Sequence, residues 1–169
     1  MAPVSQDTGA TYIYVGWIAP NYPNGILTGF ALYMEGSEVY TGAMMAYNVT
    51  GLQVFNTYRF FVRACSRVGC TDSDTVGLTT NQLPPSYVAS PKLTVKGTHI
   101  ISAEWSLPDQ LNGLLERFLL FASTSPDNDG EVVYNNSATF LKYDIPDLLA
   151  GTVYYVRVMV RMHRIQCGS

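Results

Sequence analysis

The amino-acid sequence predicts an all-β protein made of two similar sandwich-like units in tandem, the second lacking most of its last strand. Three observations carry this expectation. Apolar and polar residues alternate with a period of two through Tyr58, Arg59, Phe60, Phe61, Val62, Arg63 and Ala64, which sends alternate side chains to opposite faces of a strand. Aromatic content is weighted to residues that favour pleated surfaces, with 12 Tyr and 7 Phe. The chain also repeats itself: Trp17 and Trp105 lie 88 residues apart, as do Asn24-Gly25 and Asn112-Gly113.

The repeat runs through most positions that would face a core. Ile13, Val15 and Trp17 match Ile101, Ala103 and Trp105; Phe30, Leu32 and Met34 match Phe118, Leu120 and Ala122. After the third strand the offset becomes 96, and Tyr47, Val49, Leu52, Tyr58, Phe60 and Val62 match Tyr143, Ile145, Leu148, Tyr154, Val156 and Val158. The added residues fall mainly in the polar stretch 123–130, which reads as a longer loop.

In the first copy, turn signals between apolar runs place strands near 3–6, 10–18, 27–34, 37–41, 44–50, 57–65 and 70–80. In the second they fall near 87–95, 98–106, 115–123, 130–134, 138–145 and 152–162. Asn81-Gln82-Leu83-Pro84-Pro85 separates the copies, since two prolines cannot donate to a ladder and stiffen the chain. The expected domains are therefore 1–82 and 83–169.

Leu52 precedes Tyr58 by six residues. This is the spacing of the tyrosine corner, in which a phenol near the start of a sandwich strand bonds back to upstream backbone. Leu148 and Tyr154 repeat it. With Trp17 and Trp105, these residues form the expected structural core.

Charged residues make up only 14% of the chain and the net charge is −3 without a basic run, so nucleic acid and anionic membrane surfaces are excluded as expected partners. No apolar segment approaches the ~20 residues that span a bilayer, so a membrane is expected only through parts outside this chain. Met1-Ala2-Pro3-Val4 reads as an engineered start and Gly168-Ser169 as a cloning remnant, with any signal or anchor elsewhere.

Cys65 falls on the outward row of its strand, and a bridge to Cys70 across the Ser66–Gly69 turn is sterically feasible. Such a bridge fits an oxidising compartment. Two free thiols, or a redox-active pair, are the competing readings. Cys167 is left without a partner.

Two sequons, Asn48-Val49-Thr50 and Asn135-Asn136-Ser137, are candidate glycosylation sites. Asn48 is expected to face solvent between inward Tyr47 and Val49, and Asn135 to follow the fourth strand in a loop. The outward rows of the third and sixth strands give the candidate interaction surface: Tyr33, Arg59, Phe61 and Arg63 in the first copy, and Leu119, Phe121, Tyr155, Arg157 and Met159 in the second. Aromatic, Arg and Met residues are the composition of binding hot spots. Arg stems laid over aromatic rings to cover a sheet face are the plainer reading.

No catalytic residues, metal ligands, cofactor or small-molecule substrate are expected. His99 and His163 are far apart and outside any nucleophile or metal motif, with His99 early in a predicted strand. Asp127 and Asp129 are turn residues, and the Ser66–Gly69 connection carries no Arg-Gly-Asp.

A Trp in the second strand with Pro three residues later, Asn-Gly before the third, Leu-x5-Tyr into the sixth and no inter-sheet cysteine pair together resemble the fibronectin type III family over nearly the whole chain, twice. Narrower features are Trp17-x-x-Pro20 with Pro23-Asn24-Gly25-Ile26, Val39-Tyr40-Thr41-Gly42 and Ala64-Cys65-Ser66-Arg67-Val68-Gly69-Cys70-Thr71-Asp72-Ser73. The last is similar to an Ala-Cys-x-x-x-Gly-Cys-Thr-x-Ser pattern recurring in one group within that family. The second copy departs from it, with Arg161 and Gln166 in place of the two cysteines and only nine residues after Val160.

This resemblance implies an extracellular structural and adhesion module of a large secreted or membrane-anchored protein, in basement membranes, photoreceptors and hair-cell bundles. Matrix or cell-surface proteins are the implied partners, with self-association through the open edge of the second copy. The alternatives are an ectodomain segment of a receptor phosphatase or cell-adhesion receptor, and a carbohydrate-binding accessory module of a secreted enzyme. The last would need coplanar exposed aromatics, for which Tyr12, Tyr14 and Tyr33 are the candidates.

Overall fold

A computed structural model describes residues 2–163; Arg161 is within it, while Gln166, Cys167 and Gly168-Ser169 lie outside the described residues. All its regular structure is strand, and the chain divides into two compact units, Met1–Leu83 and Pro84–Ser169. The fold is a tandem of fibronectin type III-like β-sandwiches.

In unit 1 one sheet comprises β1 (Val4–Thr8), β2 (Tyr12–Gly16) and β5 (Ala46–Thr50), in the order β1-β2-β5. The facing sheet holds β3 (Leu27–Met34), β4 (Ser37–Gly42), β6 (Thr57–Ser66), β7 (Cys70–Asp72) and β8 (Val76–Thr79). Its order is β4-β3-β6-β7, and β8 pairs with β6 as well. All pairings are antiparallel. The inward rows meet between the sheets, where Ile13, Val15, Leu32, Phe60 and Val62 are fully buried and Trp17 packs edge-on against Phe30 at 6.3 Å.

Unit 2 repeats this with β9 (Lys92–Lys96), β10 (Ile100–Glu104) and β13 (Lys142–Ile145) in one sheet, ordered β13-β10-β9. The other contains β11 (Leu115–Ser123), β12 (Glu131–Ser137) and β14 (Tyr155–Met162), ordered β12-β11-β14. Trp105 stacks edge-on against Phe118 at 5.8 Å and Tyr134 at 5.4 Å.

Three hydrogen bonds donated by backbone N–H groups recur in both units. Trp17 N–H donates to the Met45 carbonyl as Trp105 N–H donates to that of Leu141, both at 2.9 Å. Leu52 N–H reaches the Thr11 carbonyl and Leu148 N–H that of His99, both at 3.0 Å. Gln53 N–H donates to the Tyr58 hydroxyl at 2.8 Å and Leu149 N–H to that of Tyr154 at 3.0 Å. The phenol of each tyrosine corner thus accepts a bond from a backbone group that the adjoining loop leaves without a ladder partner.

Several boundaries differ from the sequence expectation. The last strand of unit 1, expected to be continuous over 70–80, is broken at Ser73, Asp74 and Thr75. Val62 N–H donates to Ser73 Oγ at 2.9 Å and Ser73 N–H donates to the Val62 carbonyl at 2.8 Å, so a side chain stands in for a ladder acceptor. The first strand of unit 2 begins at Lys92, not 87, because Pro91 has no N–H and Ser86 bonds to Gln110 instead. The fourth strand extends to Ser137, so Asn135 lies in β12 rather than in a loop. His99 sits in the turn between β9 and β10, its Nδ1 bonded to the Leu148 carbonyl at 2.8 Å. Tyr47 keeps to the inward row of β5, opposite buried Val15, but is 37% exposed there and stacks on Tyr40 of the facing sheet at 4.9 Å.

The two cores close differently. In unit 1 Val76 and Leu78 of β8 pack over the far end of the core. Among the described residues β14 pairs only with β11, and no strand covers its other edge. Val156, Val158 and Val160 are consequently half-buried, and Val95 of β9 is 73% exposed.

Candidate functional site

The outward face of unit 1 is organised by β6 and its turn into β7. Pairing places Tyr33 opposite Phe61, Ala31 opposite Arg63, Arg63 opposite Asp72 and Cys65 opposite Cys70. The two cysteines form a disulfide across this hairpin. Tyr33 and Phe61 stack with ring centroids 4.6 Å apart and planes 3° from parallel. The Arg63 guanidinium lies 5.0 Å from the Tyr33 ring centre and donates from Nε and Nη2 to the two Asp72 oxygens, at 2.6 and 2.8 Å. Tyr33 in turn donates to Glu38 Oε2 at 3.2 Å.

A forked pair of this kind fixes orientation as well as charge. The hydrogen bond from Arg63 holds the Asp72 carboxyl below its usual range, and the same bond raises Arg63 above its ordinary value. Asp72 escaped the sequence reading, although a signal was present: once Cys65 faces Cys70, residue 63 must face residue 72. Arg59 stands apart from this cluster. Its backbone N–H donates to Glu35 Oε1 at 2.6 Å, and with Phe61 and Thr75 it lines a shallow hollow of about 340 Å³.

Unit 2 builds the corresponding face with less polar material. Leu119 pairs with Met159, Phe121 with Arg157 and Ser123 with Tyr155. The Arg157 guanidinium sits 4.2 Å from the Phe121 ring centre and its Nη2 bonds Asp129 Oδ1 at 2.9 Å. Asp129 is thus an ion-pair partner as well as a turn residue. Met159 and Tyr155 are exposed, 42% and 45%. Tyr134 is a further residue that sequence reasoning missed. It packs on both Trp105 and Tyr143, and burial pushes its phenol up.

Both sequon asparagines are exposed. Asn48 lies on β5 opposite Tyr14, in the other sheet from the Tyr33–Arg63 cluster. Asn135 lies on β12 opposite Leu119, with its Oδ1 accepting from Arg117 Nη1 at 3.2 Å. Tyr12 and Tyr14 are on β2 and Tyr33 on β3, so Tyr33 lies in the other sheet from the first two. Among the described residues no group of three His, Cys, Asp or Glu side chains is placed to hold a metal.

No protein-family model matches the chain. Comparison with characterised proteins finds usherin from Rattus norvegicus, 40% identical over 159 residues and 93% of this chain, and usherin from Homo sapiens, 37% identical over 158 residues and 92%. The chain is usherin-like. It spans only 3% of the length of either usherin. Weaker likenesses are to the cell adhesion molecule Dscam2 of Drosophila melanogaster, 32% identical over 46% of this chain and 4% of that protein, and to human receptor-type tyrosine-protein phosphatase F, 25% identical over 90% of this chain and 8% of that protein. Usherin and these relatives are extracellular adhesion or receptor proteins, or have such ectodomains. The usherin likeness and the Cys65–Cys70 bridge in a surface hairpin make this chain an extracellular module.

Proposed function

We propose that the chain is a structural and adhesion module of a usherin-like ectodomain or matrix protein, spacing binding sites and offering its outward sheet faces to protein partners. The observation that carries this reading is the row of half-buried Leu119 with exposed Met159 and Tyr155, beside the uncovered edge of β14. In unit 1 the equivalent row is tied up in the Tyr33–Phe61–Arg63–Asp72 cluster, whose polar groups already have partners. Unit 2 leaves apolar area in solvent, which association would bury. The usherin likeness favours a non-catalytic part of this kind, in sensory-cell links or basement membrane.

Self-association through β14 is part of the same reading, because an unpaired strand edge accepts another strand. The runner-up is an ectodomain segment of an adhesion receptor or receptor phosphatase, favoured by the Dscam2 and phosphatase F likenesses. The test is binding of the folded chain to purified basement-membrane proteins by surface plasmon resonance, with sedimentation analysis alongside. Met159→Lys is expected to weaken whichever association is found by about tenfold. A folded chain that stays monomeric and binds none of them would overturn the proposal.

A further inference from the structure

The loop after β2 shares one backbone turn with the loop after β10. Asn24 and Asn112 are both left-handed, with φ of 50° and 55°, and each is followed by glycine. In unit 2 this loop holds a guest. Ser86 N–H donates to the Gln110 carbonyl at 2.9 Å, Gln110 N–H donates to Ser86 Oγ at 2.9 Å, and Asn112 Nδ2 donates to the Pro84 carbonyl at 3.0 Å. The guest segment is Pro84-Pro85-Ser86, which consecutive prolines keep extended.

In unit 1 the repeat places Tyr22 where Gln110 stands and Asn24 where Asn112 stands. Among the described residues the Tyr22 main chain and the Asn24 amide have no hydrogen-bond partner. Beside them opens a cleft of about 340 Å³ walled by Pro20, Tyr22, Pro23, Leu27, Val68 and Thr71. Tyr22 is 85% and Val68 89% exposed, in turns where polar residues are the rule. The far wall is rigid. Ser66 N–H donates to the Gly69 carbonyl at 2.8 Å, Val68 N–H donates to Ser66 Oγ at 3.2 Å, and the disulfide closes the turn below them. Walls of proline and tyrosine suit an extended proline segment, and a rigid site loses little freedom on binding.

We propose that this cleft docks an extended Pro-Pro-Ser-type segment of a partner polypeptide, gripped by the Tyr22 main chain and the Asn24 amide as unit 2 grips its own Pro84–Ser86. This site is separate from the sheet faces, so it stands or falls independently of them.

The probe is a synthetic peptide copying residues 82–88, Gln-Leu-Pro-Pro-Ser-Tyr-Val, titrated into the isotope-labelled full chain and followed by backbone amide shifts. Saturable shifts are expected at Tyr22, Asn24, Gly25 and Val68, with Kd of about 1 mM or tighter. Asn24→Gly keeps the left-handed backbone and removes the amide, so it should weaken binding about fivefold while the Val62 amide signal confirms the fold. A peptide with both prolines replaced by alanine should bind more weakly still. No shift in unit 1 at about 5 mM peptide, equal binding by Asn24→Gly or by the alanine peptide, or shifts confined to Gln110 and Asn112 would each overturn the proposal.

Discussion

The hydroxyl of Tyr58 receives the backbone N–H of Gln53 at 2.8 Å, five residues upstream, and so ties the loop entering β6 to the strand that follows. Tyr154 and Leu149 repeat the arrangement in unit 2. Removing only the oxygen leaves packing intact and orphans one N–H. Tyr58→Phe should lower the stability of unit 1 by about 1 kcal/mol, the net worth of one such bond. Urea denaturation read from Trp17 in a Trp105→Phe background measures it, and an unchanged midpoint would mean that the bond contributes nothing.

The Cys65–Cys70 bridge spans a sequence separation of 5. Chain-entropy reasoning for so short a loop gives about 2 kcal/mol. Replacing both cysteines by serine should lower the unit 1 midpoint accordingly and leave unit 2 unchanged. Mass spectrometry of the untreated chain should show one bridge that opens on reduction; a chain with no reducible bond would remove the chemical support for an extracellular compartment.

These two features were legible in the sequence for physical reasons. Leu-x5-Tyr and the alternation around Cys65 are local patterns, and a strand translates them directly into which side a residue faces. What stayed hidden depends on partners distant in sequence. Ser73 reads as a strand residue until its hydroxyl is seen to replace a ladder acceptor for Val62. Tyr134 reads as one more strand aromatic, because only the packing of β12 over Trp105 makes it core. Asp72 becomes an Arg63 partner only through the hairpin register, which the Cys65–Cys70 pairing sets two residues away.

Asp72 gives unit 1 an acid-dependent component of stability. Its folded carboxyl is held below the ordinary value by Arg63, so the pair stabilises fully above the unfolded carboxylate range, near pH 4. That contribution is lost as pH falls through the lowered folded value. Both side chains are over a third exposed, 38% and 43%, and solvent screening keeps the effect small. Asp72→Asn should reduce the urea midpoint of unit 1 at pH 7 and flatten its decline below pH 4. An identical acid profile in the variant would show that other carboxylates govern it.

The same inward position of the sixth strand is buried differently in the two units. Val62 on β6 is fully buried, while its counterpart Val158 on β14 is half-buried, since no strand among the described residues covers that edge. Truncation of a buried side chain costs the lost transfer energy plus a term for the cavity left behind, and a partly open site suffers less of both. Val62→Ala should therefore cost about 2–3 kcal/mol and Val158→Ala about 1 kcal/mol or less. Separate denaturation curves, followed by Trp17 and Trp105 fluorescence in single-tryptophan backgrounds, report each unit. If a partner strand closes β14 in solution, Val158→Ala will instead approach the Val62→Ala value, and its cost will grow with protein concentration because association adds to stability by mass action.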